Sequence, residues 1–164
     1  TAGKRGEVDM ATLGGAIEVM KTLNRSASEA MLSVGVNACT DITGFGLIGH
    51  LQGMTKSSGV GATLHLSQVP IIPGTWKLAE AGIAPGGSHR NLDSIGHLVD
   101  WNKDITAVEQ LVLCDAQTSG GLLISVAAEQ AQYLVRELME RGIGEPAILG
   151  EVTEGPNGRI RVTR

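Results

Sequence analysis

One short segment combines the residue types that bind a metal-bound phosphate. In TDITGFG, residues 40–46, an aspartate stands between two threonines and is followed by two glycines. Carboxylate oxygens are ligands that Mg²⁺ prefers, commonly together with phosphate oxygens and water. A glycine-containing turn before a helix offers free amide groups to phosphates. The segment therefore fits a magnesium and nucleotide site with Asp41 as the metal ligand, lined by Thr40, Thr43 and Gly44.

The same segment also fits a purely structural role. Asp41 or Thr43 would then accept backbone N–H groups at the start of a helix expected over residues 47–56. One aspartate is too little to assemble a nucleotide and metal site, and the chain has neither a G-x-x-x-x-G-K-[ST] loop nor a strand-linked G-x-G-x-x-G motif. The residues leave both interpretations open. If Asp41 binds a metal, most of that site lies on another domain.

Two further polar segments present the same choice. DAQTSGG, residues 115–121, precedes an expected buried strand, and its side chains fit either local turn contacts or a functional loop. GGSHRN, residues 86–91, has the composition of a loop, in which Arg90 either binds an anion or is solvated. The additional candidates for lining a site are therefore Arg90, Thr118 and Ser119.

The remaining residues with reactive side chains show no metal or nucleophile pattern. The four histidines lack the H-x-x-x-H spacing of a helical metal site, and the two cysteines lack C-x-x-C spacing. We interpret the histidines as individual surface or hydrogen-bonded residues. Cys39 and Cys114 are expected to be reduced thiols, which together with the lack of an N-terminal apolar segment favours a cytoplasmic protein.

The elements that position these segments follow from apolar periodicity. Helices are predicted over residues 9–24, 27–34, 47–56, 76–81 and 128–141, with one or two more within 92–112, the second from about Thr106. Strands are predicted near 62–66, 122–126, 147–152 and 159–162. The stripe of Met10, Leu13, Ile17 and Met20 is predicted to face the core. This order of helices and strands predicts a layered α/β or α+β domain.

Composition narrows the class of partner. The net charge is −4 and only 2% of the residues are aromatic, which argues against nucleic-acid binding. No apolar run approaches the roughly 20 residues that span a bilayer. The chain begins with Thr and a basic, glycine-containing segment. We expect residues 1–8 to be a linker from an N-terminal domain and residues 9–164 to form one C-terminal domain.

Four segments in the same order resemble selenophosphate synthetases, the selenide, water dikinases. CTDITGFGLIGHLQGM (39–54) is similar to their T-D-[VI]-T-G-F-G-L-x-G-H signature, and VPIIPGTWKLAEAGIAPGGSHRN (69–91) is similar to a P-G … P-G-G-[ST]-x-R-N region. LCDAQTSGGLLISV (113–126) and ILGEV (148–152) also resemble family segments. One departure is Ala116, where the family usually has proline. The match covers the C-terminal domain shared with the wider aminoimidazole ribonucleotide synthetase superfamily.

The resemblance implies a fold and an activity. The fold is an α/β domain with helices packed on a mixed, largely antiparallel sheet. The full-length enzyme would use ATP, selenide and water to make selenophosphate, AMP and phosphate, with Mg²⁺ bound partly by Asp41. Its reactive cysteine or selenocysteine, an essential lysine and most nucleotide contacts would lie in the N-terminal domain, through which a homodimer would form. No catalytic residue is then expected in this chain, which alone should be inactive.

Two alternatives remain at the level of sequence. The chain could belong to another ATP-using member of the superfamily that acts on a different nucleophile, such as a formylglycinamidine or thiamine monophosphate. It could also be a non-catalytic binding or scaffold module that keeps the fold. The segments QTSGG (117–121) and PGGSHRN (85–91) favour the selenophosphate synthetase.

Overall fold

The computed structural model describes residues 1–164, which form eight α-helices, two short 3₁₀ helices (Leu66–Gln68 and Gly96–Leu98) and six strands. The helices are α1 Ala2–Arg5, α2 Met10–Lys21, α3 Arg25–Val34, α4 Gly46–Ser58, α5 Thr75–Glu80, α6 Gly86–Ile95, α7 Ala107–Leu113 and α8 Ala128–Glu140. The strands are β1 Ala38–Asp41, β2 Gly61–His65, β3 Val99–Trp101, β4 Leu122–Ser125, β5 Gly150–Thr153 and β6 Ile160–Thr163.

The strands form two separate sheets. The larger has the order β3-β6-β2-β5, in which β6 runs parallel to both β3 and β2, while β5 is antiparallel to β2. The smaller is the antiparallel pair of β1 and β4. The mixed α/β class predicted from the sequence is confirmed. The strand pairings were expected to be mostly antiparallel, but parallel and antiparallel pairings are equally frequent. The reason is that β6 lies between two strands that run in its own direction.

A single main core lies between the four-stranded sheet and helices α4 and α7. Its most buried side chains come from both layers and include Ile48, Leu64, Leu113, Ile160 and Val162. A smaller cluster joins α3 to α8 through Ala27, Ala30, Leu134 and Leu138. Strand β4 contacts both, because Leu123 packs on the main core while its neighbours Leu122 and Ile124 pack on the α3–α8 cluster. The short β1–β4 sheet is therefore fixed on both faces.

Most predicted elements are confirmed, with boundaries that shift by a few residues. The clearest local signal is at α7, where Thr106 and Glu109 form a reciprocal capping box. Ser26 and Glu29 have the same S-x-x-E spacing, which is typical of a capping box, but they do not form one. Helix α3 starts at Arg25, two residues before the predicted start at residue 27, and Glu29 instead pairs with Arg25 at 2.9 Å.

Three predictions about the elements are wrong. Residues 86–91 form the start of α6 rather than a loop, and residues 99–101 form strand β3 inside a stretch predicted as helix. Strand β3 has only three residues, too few for a recognisable alternation, and is held by parallel pairing with β6. The apolar stripe of α2 does not face the core, because that helix has no buried residue. Residues 1–8 contain the single turn α1, where Ala2 is buried, and their role as a linker from an N-terminal domain stays a prediction.

Neither cysteine is in a disulfide. Cys39 is half-buried and Cys114 is fully buried, so burial raises the pKa of the Cys114 thiol to about 12. None of the helices has both the length and the apolar character required to cross a bilayer.

Candidate functional site

Asp41 is the last residue of β1, where it lies opposite Leu122 of β4. Its side chain is exposed, and its carboxylate makes no hydrogen bond or ion pair with any other group of the chain. The nearby Cys39 thiol has a raised pKa, first because it is partly buried and second because the Asp41 charge disfavours the thiolate. The Asp41 carboxylate is therefore accessible and free to accept a ligand.

The alternative of a helix cap is wrong for this aspartate. Helix α4 begins at Gly46 with Phe45 at its N-cap position, and no side chain caps it. The Thr43 hydroxyl lies 3.2 Å from Nε2 of His50 rather than on a helix amide. With capping excluded, the structure leaves the side chain of Asp41 without a hydrogen bond that stabilises the local backbone.

Backbone hydrogen bonds bring the second glycine turn beside this segment. The amide of Ile42 donates to the Gly121 carbonyl at 2.9 Å, and the amide of Gly120 donates to the Ile42 carbonyl at 2.8 Å. The amide of Gln117 donates to the Thr43 carbonyl at 3.1 Å. These bonds continue the β1–β4 pairing into the two turns. Two segments that are about 75 residues apart in sequence thus form one rim.

Thr118 and Ser119 lie on this rim with unused hydroxyls. Thr118 is exposed and Ser119 is half-buried, and neither side chain makes a hydrogen bond within the chain. The local turn contacts considered for them are therefore not formed. Thr40, the other hydroxyl of the rim, donates to the carbonyl oxygen of Asp41 at 3.2 Å.

The polar residue of this turn that does have a structural role is Asp115. Its Oδ1 accepts a hydrogen bond from the fully buried Ser88 hydroxyl at 2.7 Å, and the same hydroxyl accepts from the Ala116 amide at 3.0 Å. Burial raises the pKa of the Asp115 carboxyl, and the Ser88 hydrogen bond opposes that rise. Asp115 therefore fastens its turn to helix α6 rather than facing a ligand.

A third segment joins the rim through Asn91, which the sequence did not single out. The Asn91 amide donates to the carbonyl of Gly44 at 2.9 Å and to that of Cys114 at 3.1 Å. One side chain of α6 thus connects both glycine turns. The three polar segments found separately in the sequence converge at a single place. Backbone hydrogen bonds between the two turns and side-chain hydrogen bonds from α6 hold them there.

The same contacts explain why residues 86–91 are helical. Ser88 and Asn91 each anchor α6 to residues far away in sequence, and Gly87 approaches Ala116 so closely that an added Cβ would lie 2.9 Å from its methyl group. Two glycines disfavour a helix start by themselves. Tertiary hydrogen bonds outweigh that preference. A rule based on local composition cannot detect those bonds.

Arg90 lies on the exposed side of this helix start. It has no carboxylate partner, and its guanidinium folds back over the first turn of α6, where an added Cβ on Gly86 would lie 3.3 Å from Nη1. The N-terminus of α6 follows Pro85 and has no side-chain cap. An unpaired cation and uncapped helix amides therefore lie together, an arrangement that favours negative charge.

His50 positions the turn after Asp41, a role that was not expected from the sequence. Its Nε2 accepts the backbone N–H of Thr43 at 3.0 Å, so that nitrogen is unprotonated. The ring also meets Phe45 edge-on, with 5.7 Å between ring centroids. His50 is the fifth residue of α4, just over one turn from its start, so the helix can reach back to hold its own leading turn.

Removing this acceptor should destabilise the chain measurably. We expect His50→Leu to reduce the free energy of unfolding by about 1–2 kcal/mol, because the Thr43 amide would lose its partner. His50→Gln can place an oxygen near the position of Nε2 and should lose less than half of that amount. Urea unfolding of the 164-residue chain measures both. Equal losses in the two variants would show that ring packing, not the hydrogen bond, is what matters.

The chain by itself does not contain a complete metal site. No group of three or more histidine, cysteine, aspartate or glutamate side chains is arranged to hold an ion. What the rim offers is one free carboxylate and several hydroxyl and carbonyl oxygens. An all-oxygen partial set of this kind fits Mg²⁺, which commonly takes one or two protein carboxylates together with phosphate oxygens and water.

Comparison with known proteins identifies the family. The model of the AIR synthase related protein, C-terminal domain, matches residues 4–163. The chain therefore belongs to this family of C-terminal domains.

Curated relatives narrow the similarity further. The chain is 43% identical over all 164 residues to the selenide, water dikinase of Carboxydothermus hydrogenoformans, and these residues cover 47% of that protein. It is 48% identical over 139 residues to the enzyme of the same name from Caldanaerobacter subterraneus subsp. tengcongensis, which covers 85% of this chain and 40% of that protein. The chain thus spans about half the length of the curated relatives it matches, at their C-terminal part.

Solved structures share the fold at lower identity. The hydrogenase maturation protein HypE superposes with a TM-score of 0.54 at 18% identity, covering 85% of this chain and 37% of HypE. HypE in complex with ATP gives 0.56 at 17% identity, with 86% and 36% covered. At these identities the likeness supports the fold assignment alone.

Proposed function

We propose that this chain is the C-terminal half of an ATP-dependent selenophosphate synthetase, in which Asp41 contributes to a Mg–ATP site shared with an N-terminal half. The proposed reaction converts ATP, selenide and water to selenophosphate, AMP and phosphate. The observation that carries the proposal is the free, exposed carboxylate of Asp41 on a rim that three separate segments hold rigid. Relatives named selenide, water dikinase at 43% and 48% identity support the choice of substrate.

The rim residues have distinct parts in this proposal. Asp41 provides an anionic oxygen ligand, and the hydroxyls of Thr40, Thr118 and Ser119 lie on the same rim to orient water or phosphate oxygens. Bound Mg²⁺ would neutralise phosphate charge during phosphoryl transfer. Thr43 and Gly44 keep the turn in place through His50 and Asn91, so that the carboxylate is already oriented before ligand binds.

Arg90 is proposed to contact the polyphosphate. Its guanidinium has no acidic partner in the chain and lies over the uncapped start of α6. Arginine binds phosphate through two parallel hydrogen bonds, and helix N-terminal amides add donors in the same direction. The pairing of Arg90 with Gly86 and Gly87 therefore supplies positive potential from this half of the site.

The remaining groups would come from the N-terminal half. Gly44 and Phe45 form the exposed tip of the Asp41 turn, and Phe45 is 68% exposed. An exposed aromatic ring at the tip favours burial by a second domain, which would also exclude water from the intermediate. The proposal also includes selenide as the second substrate, a homodimer of the full-length protein and a cytoplasmic location.

The experiment that tests this function compares the full-length protein with the 164-residue chain. With Mg²⁺, ATP and selenide, the full-length protein should form AMP and selenophosphate, seen by ³¹P NMR, and EDTA should stop the reaction. The 164-residue chain should form neither, because it holds only part of the metal site. ATP turnover that does not depend on selenide would favour another ATP-using superfamily member. Turnover by the short chain would contradict the shared site.

A further inference from the structure

Helix α2 exposes an apolar stripe that has no partner in this chain. Met10, Ile17 and Met20 recur at helical spacing and are 78%, 39% and 43% exposed. Leu13, also on the stripe, is half-buried, and an added Cβ on Gly3 of α1 would lie 3.1 Å from its side chain. A stripe of this kind normally faces a core. Here three of the four large apolar side chains of the stripe face solvent.

The helix itself is well formed, so its exposure does not come from a weak or misplaced element. Asp9 caps its start by accepting from the Thr12 amide at 2.8 Å and the Thr12 hydroxyl at 2.9 Å. Thr12 also contacts the body of the domain, since an added Cβ on Gly74 would lie 2.8 Å from its methyl group. Positions two and five residues from Thr12 lie on the far side of a helix. Met10 and Ile17 therefore point away from the domain.

We propose that the stripe of Met10, Ile17 and Met20 is the surface on which the N-terminal half of the full-length chain docks. This inference rests on the two-half architecture of the proposed function. The curated relatives are about twice as long as this chain and match it at their C-terminal part. Helices α1 and α2 precede every other element of the domain, so a segment upstream of them enters directly beside the stripe.

The size of the stripe favours a tethered partner over a second copy of the chain. Twelve residues of helix are about 18 Å long and about 10 Å wide, which gives a face of about 180 Å². A stable association of separate proteins buries about 800 Å² on each side. A covalently linked half needs far less contact, because its effective concentration is in the millimolar range for a short linker. The stripe is therefore suited to docking within one chain.

Hydrogen exchange tests this surface without any substrate. We expect the α2 amides to exchange at least about tenfold more slowly in the full-length protein than in the 164-residue chain. Met20→Glu in the full-length protein should remove that protection. Val19→Glu is the matched control, since Val19 is also 43% exposed but lies on the Thr12 side of the helix. In the 164-residue chain neither change should alter α2 exchange.

The outcomes separate this inference from the proposed function. Equal protection of α2 in both lengths of chain, or the same effect from Met20→Glu and Val19→Glu, would overturn the docking surface. So would a concentration-dependent dimer of the 164-residue chain that Met20→Glu abolishes, because a second copy would then cover the stripe. Because exchange requires neither ATP nor selenide, a protein without dikinase activity could still show the protection.

Discussion

Asp41→Asn in the full-length protein should lower selenide-dependent AMP formation at least about a hundredfold, a loss typical of removing a charged group that stabilises a transition state. Asparagine keeps the shape of the side chain but removes its negative charge, and a neutral amide oxygen is a much weaker ligand for Mg²⁺. The fold should be unaffected, because the carboxylate is exposed and makes no bond within the chain. Exposed substitutions of this kind change stability by less than about 0.5 kcal/mol.

The measurement needs a variant that changes the same charge elsewhere. Asp104→Asn is a suitable control, because Asp104 is also exposed and its carboxylate makes no hydrogen bond. Asp104 follows β3 of the four-stranded sheet, whereas Asp41 ends β1 of the two-stranded sheet. The Asp104 substitution should leave activity within twofold. Activity of Asp41→Asn close to that of Asp104→Asn would remove the metal role of Asp41. A larger Mg²⁺ requirement for the Asp41 variant, with the control unchanged, would identify the lost interaction as metal binding.

Local signals are sufficient to predict elements whose ends are marked locally. Helix α7 is preceded by Thr106 and Glu109, whose capping box needs only four residues of sequence. Helix α8 packs its apolar face on α3 and ends before Gly142, which adopts a φ of 79°. In both cases the signal that marks the end of the element lies within a few positions of it, so periodicity and that signal are enough to predict the helix.

The misjudged elements depend on distant residues. Helix α6 begins with two glycines and is held by Ser88 and Asn91, whose partners are at least 23 residues away. Strand β3 exists because Val99 pairs beside Ile160 of β6. The stripe of α2 has correct helical spacing but no partner among these 164 residues. Periodicity identifies an apolar face and cannot show which surface covers it.

The candidate site was predictable in part for the same reason. Asp41 was visible because its segment carries an acid and glycines in a recognisable order, and the family resemblance marked it as a metal ligand. The meeting of its turn with Gly120 and Asn91 was not visible, because those bonds link three separate parts of the chain. The role of His50 could have been suspected from its place in the same signature, seven residues after Thr43.

Gly46→Ala should lower the free energy of unfolding by about 3 kcal/mol or more and disorder the Asp41 turn. Gly46 has a φ of 70°, which costs a residue with a Cβ roughly 1–2 kcal/mol. An added Cβ would also lie 2.7 Å from the carbonyl carbon of Cys114 and 2.8 Å from the carbonyl oxygen of Asp115. Overpacking against a fixed backbone adds about 1–3 kcal/mol. Either the Asp41 turn or the residue 115–121 turn must move.

Gly59→Ala separates these two contributions. Gly59 ends α4 with a φ of 71°, almost the value at Gly46, yet an added Cβ there would meet nothing within 4 Å. Its replacement should therefore cost only the backbone term of roughly 1–2 kcal/mol. Urea unfolding of both variants of the 164-residue chain gives the difference, which measures the contact between the two glycine turns. Losses of the same size in the two variants would show that the close contact at Gly46 adds nothing to the free energy of unfolding. That result would contradict the rigidity assigned to the Asp41 rim.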